Sequence, residues 1–127
     1  MPIGAVRRER VNAQNSKTAI DELRKVIVEK RIDVVALQEP YNRNGIIRGL
    51  GITVKIISDL KSFSKSTKSN AIKSAIVIVN PEINILKLEH LCNTHFTCAE
   101  LTMASAIYYL VSAYFQCSDT TIHTTTR

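Results

Sequence analysis

Asp33-Val34-Val35-Ala36-Leu37-Gln38-Glu39-Pro40-Tyr41 decides the fold. Four apolar residues bounded by charged and polar ones have the length of a buried strand and fall short of a helix. Pro40 has no N–H to give, so the strand cannot continue past it as an interior ladder. Gln38 and Glu39 therefore stand at the carboxyl end, where α/β sheets build their sites. A carboxylate fixed there suits a hard divalent cation that prefers oxygen ligands. The plain alternative is a solvated glutamate at a strand end.

Working outward, residues 16–31 carry the clearest helical pattern. Ile20, Leu23, Val26 and Ile27 share one face, and Glu22, Lys25 and Glu29 turn to water. Thr18-Ala19-Ile20-Asp21 has the spelling of a capping box, with Asn15 or Ser16 as alternative caps. Lys30 and Arg31 complement the helix dipole. Beyond the decisive strand, Asn42-Arg43-Asn44-Gly45 is turn chemistry. Residues 52–57 alternate as a strand, 58–73 form a serine- and lysine-rich exposed loop, and strands follow over 75–79, 83–88, 94–102 and 107–115. Asn80-Pro81 marks a turn. The apolar stretch 104–115 is too short to span a bilayer and fits a buried strand.

The chain has 127 residues, 45% of them hydrophobic and 22% charged, as in a globular rather than a disordered protein. It lacks a secretory signal pattern, since Arg7, Arg8 and Arg10 are followed by polar sequence; an intracellular protein with no membrane span is expected. Three cysteines without a C-x-x-C give no basis for disulfides. Cys92, His95 and Cys98 spell a C-x-x-H-x-x-C run, but residues three apart on a strand face opposite ways and need a turn to converge on zinc. A net charge of +6 is compatible with a polyanionic partner, contacted through its phosphates by Lys61, Lys65, Lys68 and Lys73. A solvated surface would show the same charges.

Five ordered segments carry a resemblance: Val11-Asn12-Ala13-Gln14-Asn15-Ser16-Lys17, the Asp33–Tyr41 stretch, Ser74-Ala75-Ile76-Val77-Ile78-Val79-Asn80-Pro81, Leu88-Glu89-His90-Leu91-Cys92-Asn93-Thr94-His95-Phe96 and Leu110-Val111-Ser112-Ala113-Tyr114-Phe115. In this order they resemble the exonuclease-endonuclease-phosphatase superfamily, and most closely the endonuclease domain preceding the reverse transcriptase in non-LTR retrotransposons. The resemblance implies a partial α/β sandwich, with a mixed sheet, a flanking helix and the second half missing. It would occupy residues 11–119, after a divergent segment 1–10 and before a polar tail 120–127. Because Arg7-Arg8-Glu9-Arg10 stands where the family has an apolar first strand, weak pairing is expected there. With half of the sandwich missing, the inner face of the sheet is expected to be exposed.

By the same resemblance Glu39 is the metal carboxylate for Mg2+ or Mn2+, Asn12 orients it or contacts the scissile phosphate, and Tyr114 hydrogen-bonds that phosphate. Gln38 supports them from behind. The implied function is nicking of DNA in the nucleus, with a reverse transcriptase domain in the parent polyprotein. The family's later Gly-Asp-x-Asn and Ser-Asp-His motifs have no counterparts here: the aspartates are Asp21, Asp33, Asp59 and Asp119. A chain without them is expected to be catalytically silent. The rival reading is a non-catalytic, degenerate retroelement remnant with at most weak nucleic-acid binding.

Overall fold

The computed structural model describes residues 6–43, 46–51, 53–58, 72–93 and 95–114. The decisive stretch forms β2 (Val34–Gln38), buried at every position. It pairs in parallel with β1 (Arg8–Asn12) and antiparallel with β6 (Ser74–Ile78), which also takes β5 (Lys55–Ser58). The order β1-β2-β6-β5 makes a four-stranded mixed sheet. A strand flanked on both edges and covered on both faces has no position left for a charge, which explains the uninterrupted Val-Val-Ala-Leu.

Helix α1 (Lys17–Lys30) covers one face. Ile20 and Leu23 bury against Val35, Leu37 and Val77. Ser16, rather than the Thr18–Asp21 pair, is the cap: its hydroxyl accepts from the Ala19 N–H at 3.2 Å, while Asp21 pairs with Lys17 on the surface. The helix stops at Arg31, whose φ of 54° is left-handed and whose N–H reaches back to Ile27 and Val28. Gly49 passes over the helix so closely that a Cβ would stand 2.8 Å from the Ile20 methyl.

The opposite face of the sheet is not bare. A second sheet of β7 (Asn84–Lys87), β8 (Phe96–Met103) and β9 (Ala106–Ala113) lies on it, all antiparallel. Val34, Ile76 and Ile78 meet Ile83, Ala99 and Leu101 between the layers. The expected exposure of the inner face is thereby corrected, since the chain's own later strands cover it. What is exposed instead is the outer face of the second sheet, where Leu86, Ile107, Tyr109 and Val111 are all more than half accessible. The 104–115 run is therefore not a buried strand. Apolar residues on both of its faces conceal the alternation that would have revealed a half-covered one.

Strand β1 is a further departure. Arg8, Glu9 and Arg10 bury little, yet the parallel register from Arg8↔Val34 to Asn12↔Gln38 is complete. Hydrogen bonds tie its start to β2, the Arg7 N–H donating to the Asp33 carboxylate and the Asp33 N–H to the Arg7 carbonyl. A small hairpin of β3 (Asn42–Arg43) and β4 (Ile46–Ile47) flanks the expected turn.

Candidate functional site

Three chain segments meet where β1 and β2 end and β6 begins. The parallel register aligns Asn12 with Gln38, and Gln38 pairs with Ser74 across the antiparallel seam. Glu39 follows directly. Its N–H donates to the Lys73 carbonyl at 2.8 Å, and its own carbonyl accepts from the Asn15 N–H at 2.7 Å. Both main-chain groups are thus clamped, one to the residue before β6 and one to the turn after β1.

The backbone at this junction is unusual. Gln14, Asn15 and Glu39 have φ of 51°, 55° and 48°. Residues other than glycine enter the left-handed region at a cost of about 1–2 kcal/mol, and a residue before proline is ordinarily driven to extended backbone. Glu39 takes this conformation immediately before Pro40, held by the two hydrogen bonds. Asn12 supports the turn beside it, its Oδ1 accepting from the Gln14 N–H at 2.9 Å.

Strand β9 brings the third contribution. Gln38 is buried, and its Nε2 donates to the Ser112 Oγ at 3.2 Å; that hydroxyl donates onward to the Leu37 carbonyl at 3.1 Å. This buried tie fixes the carboxyl end of β9 over that of β2 and carries Tyr114 to the same end of the molecule. The Tyr114 N–H donates to the His95 carbonyl. The rings of His95 and Tyr114 stack with centroids 5.8 Å apart and planes 10° from parallel. The Lys73 ammonium stands 5.4 Å from the Tyr114 ring centroid. The lysine that accepts from Glu39 through its carbonyl therefore reaches Tyr114 through its side chain.

Asn12, Gln38, Glu39, Lys73 and Tyr114 are thus gathered at one end of the two sheets. Lys61, Lys65 and Lys68 lie outside the described residues. Ser112 has no role assigned from the sequence, and His95 entered there only as the middle residue of the Cys92–Cys98 run, although both stand inside the resembling segments. Cys92 and His95 do not join Cys98 in a metal site. The Cys92 Sγ accepts from the Cys98 N–H at 3.3 Å while His95 turns to Tyr114. Cys92 and Cys98 are free thiols, and burial, with a smaller contribution from Cys92, raises the Cys98 pKa.

The two-sheet arrangement matches the endonuclease domain of TRAS1, a telomere-specific non-LTR retrotransposon, with a TM-score of 0.67. The fold is that of part of a retrotransposon endonuclease domain. Sequence identity is 20%, and the match covers 84% of this chain and 43% of that one. The chain therefore spans less than half the length of the structure it matches. Neither a protein-family model nor a curated protein matches the sequence. Among the described residues no helix is long and apolar enough to cross a membrane, and no three His, Cys, Asp or Glu side chains cluster as a metal cage.

The donors available at the junction are oxygens, the Glu39 carboxylate and the Asn12 carboxamide. Such a set fits a magnesium-type ion, which takes one or two carboxylates and completes its shell with water and substrate phosphate. It does not fit a softer metal that needs a preformed nitrogen or sulfur cage.

Proposed function

We propose that this chain provides the metal- and phosphate-binding portion of a DNA endonuclease of the retrotransposon type. The observation that supports it is the meeting of Asn12, Glu39, Lys73 and Tyr114, drawn from four separated segments, at one end of the paired sheets. Glu39 would hold Mg2+ or Mn2+, with Asn12 beside it. Bound there, the ion would supply charge stabilisation at a phosphoryl oxygen. Tyr114 donates its phenolic hydrogen bond to the phosphate, with its ring packed against His95. The Lys73 cation attracts the anion toward that ring, and Gln38 keeps β2 and β9 in register beneath. Lys61, Lys65 and Lys68 add phosphate contacts that carry no sequence information. DNA in the nucleus is the substrate this reading implies, and the partner is a reverse transcriptase domain in the parent polyprotein.

Among the described residues no three His, Cys, Asp or Glu side chains cluster around Glu39, which favours a second reading, binding without cleavage. Asp33 stands at the far end of β2, and Asp21 lies on the helix. Acid and base groups each contribute about 10²–10⁴ to rate, so this set alone should bind far better than it cuts. Manganese broadening of amide resonances tests the common core of both readings. Residues 12–15, 38–41 and 73 should broaden in the parent and stay sharp in Glu39→Gln. Broadening that ignores Glu39 removes it from the site. Plasmid nicking with magnesium then separates the two readings, since nicking above the Glu39→Gln background requires the first.

A further inference from the structure

We propose that the β3–β4 hairpin is a grip for the DNA backbone beside Glu39, in which Arg43 and Arg48 each hold a phosphate. The inference rests on the DNA substrate proposed above and adds the element that seizes it. In sequence the two arginines stand an odd number of residues apart, which would put them on opposite faces of a single strand. The hairpin reverses that. Asn42 pairs with Ile47 and Arg43 with Ile46. The Arg48 N–H donates to the Tyr41 carbonyl at 3.1 Å, which extends the ladder by one pair. Side chains alternate along each arm, so Tyr41, Arg43, Ile46 and Arg48 share one face, and Asn42 and Ile47 the other. Burial agrees: Arg43, Ile46 and Arg48 are exposed, whereas Asn42 and Ile47 are half-buried, as is Tyr41 at the root.

The hairpin is tied to the candidate site. Asn15, whose N–H holds the Glu39 carbonyl, also accepts the Asn42 N–H on its Oδ1 at 3.2 Å. The Asn42 Nδ2 donates to the Pro40 carbonyl at 3.0 Å. Beyond the second arm, Gly49 passes tightly over Ile20, and Leu50 is buried with Ile20 and Leu23. The position of the arginine face relative to Glu39 therefore follows from the ends of β1 and β2 and from α1. It owes nothing to the edges of the two larger sheets, since β3 and β4 pair only with each other.

The charges on this face are also uncommitted. Among the described residues Lys17, Lys25 and Lys87 have carboxylate partners, whereas Arg43 and Arg48 have none. A guanidinium group binds phosphate through paired N–H donors. Arg43 lies opposite Ile46, so Arg48 is its diagonal neighbour across the pair, and such neighbours stand about 7–8 Å apart. At that separation the two arginines can take different phosphates of one strand without competing for the same oxygens. The exposed Ile46 side chain offers the sugar between them an apolar seat. Contacts of this kind fix the position of the duplex and read no sequence.

The test is the salt dependence of binding to a short fluorescent DNA duplex, measured by anisotropy in EDTA. Arg43→Gln with Arg48→Gln should flatten the slope of log affinity against log salt by about 2, each lost phosphate contact counting for about 0.9. Arg43→Lys with Arg48→Lys keeps both charges and should keep the parent slope. Ile46→Glu sets an acid opposite Arg43 and should flatten the slope by about 1. Arg24→Gln with Lys25→Gln, on the exposed side of α1, removes the same net charge and should leave the slope unchanged. Circular dichroism checks that each variant folds; if the double glutamine variant does not, Arg48→Gln alone should flatten the slope by about 1. A folded glutamine variant with the parent slope overturns the proposal. Equal flattening by the α1 pair also overturns it, since binding would then follow net charge alone. Polyglutamate bound through Arg43 and Arg48, with the DNA slope unchanged, assigns the face to an acidic polypeptide and overturns it too. With EDTA present, these outcomes stand apart from whether Glu39 holds an ion.

Discussion

Glu39 combines a strained backbone with the carboxylate proposed to hold the metal, and the two can be separated by substitution. Its φ of 48° costs about 1–2 kcal/mol for a residue with a Cβ. Glycine would relieve that cost and add about 0.5–1 kcal/mol of unfolded-state entropy to lose. Glu39→Gly should therefore leave urea stability unchanged or raise it by up to about 1 kcal/mol, while manganese broadening disappears. A loss well beyond about 1 kcal/mol would make the carboxylate a structural group instead. Cys98 gives a pH signature at the same scale. Burial raises its pKa in the folded state, so the folded chain holds the thiol proton more tightly than the unfolded one. That contribution is intact below the ordinary thiol pKa and is lost as pH rises through and above it. The decline in urea midpoint on the alkaline side should be shallower in Cys98→Ala; an identical slope would mean that Cys98 does not titrate differently on unfolding.

Among the elements, those with a one-sided apolar pattern were legible in the sequence and those without one were not. α1 and β2 follow directly from Ile20, Leu23 and the Val34–Leu37 run, because helix and buried strand impose different periods. β1 was not, because Arg8 and Arg10 are exposed and Glu9 only half-buried, so its strand character comes from pairing with β2 and not from burial. The candidates Asn12, Gln38, Glu39 and Tyr114 came from the resembling segments. The stacking of His95 on Tyr114 was hidden, since it depends on how β8 and β9 are paired. The turn joining those strands supplies a test. Ala104 has φ of 56° at the first central position of a two-residue hairpin turn, which favours glycine in a type II′ geometry. Ala104→Gly should stabilise the chain by about 0.5–1 kcal/mol, read as a higher urea midpoint with an unchanged slope. A lower midpoint would contradict the turn geometry.

At the scale of the whole molecule, two sheets meet through a core that is partly polar. Besides the Gln38–Ser112 tie, the buried hydroxyls of Ser74 and Thr97 lie 2.8 Å apart, and Thr97 also donates to the Ser74 carbonyl at 3.2 Å. Both ties join β2 or β6 of the first sheet to β8 or β9 of the second, close to the end where Glu39 and Tyr114 stand. An apolar interface alone would let the sheets slide by a residue pair at little cost, whereas hydroxyls buried without partners cost about 1–3 kcal/mol each. The polar pair therefore specifies the register that brings the site together. Thr97→Val should destabilise by about 1–3 kcal/mol, since it leaves Ser74 without its side-chain partner. Ser74→Ala with Thr97→Val should recover much of that loss, because neither polar group is then stranded. If the ties set register, the double variant should regain stability yet show altered chemical shifts at Lys73, His95 and Tyr114. Recovered stability with unchanged shifts at those residues would leave apolar packing, through Ile76, Ile78 and Leu101, as the element that aligns the two sheets.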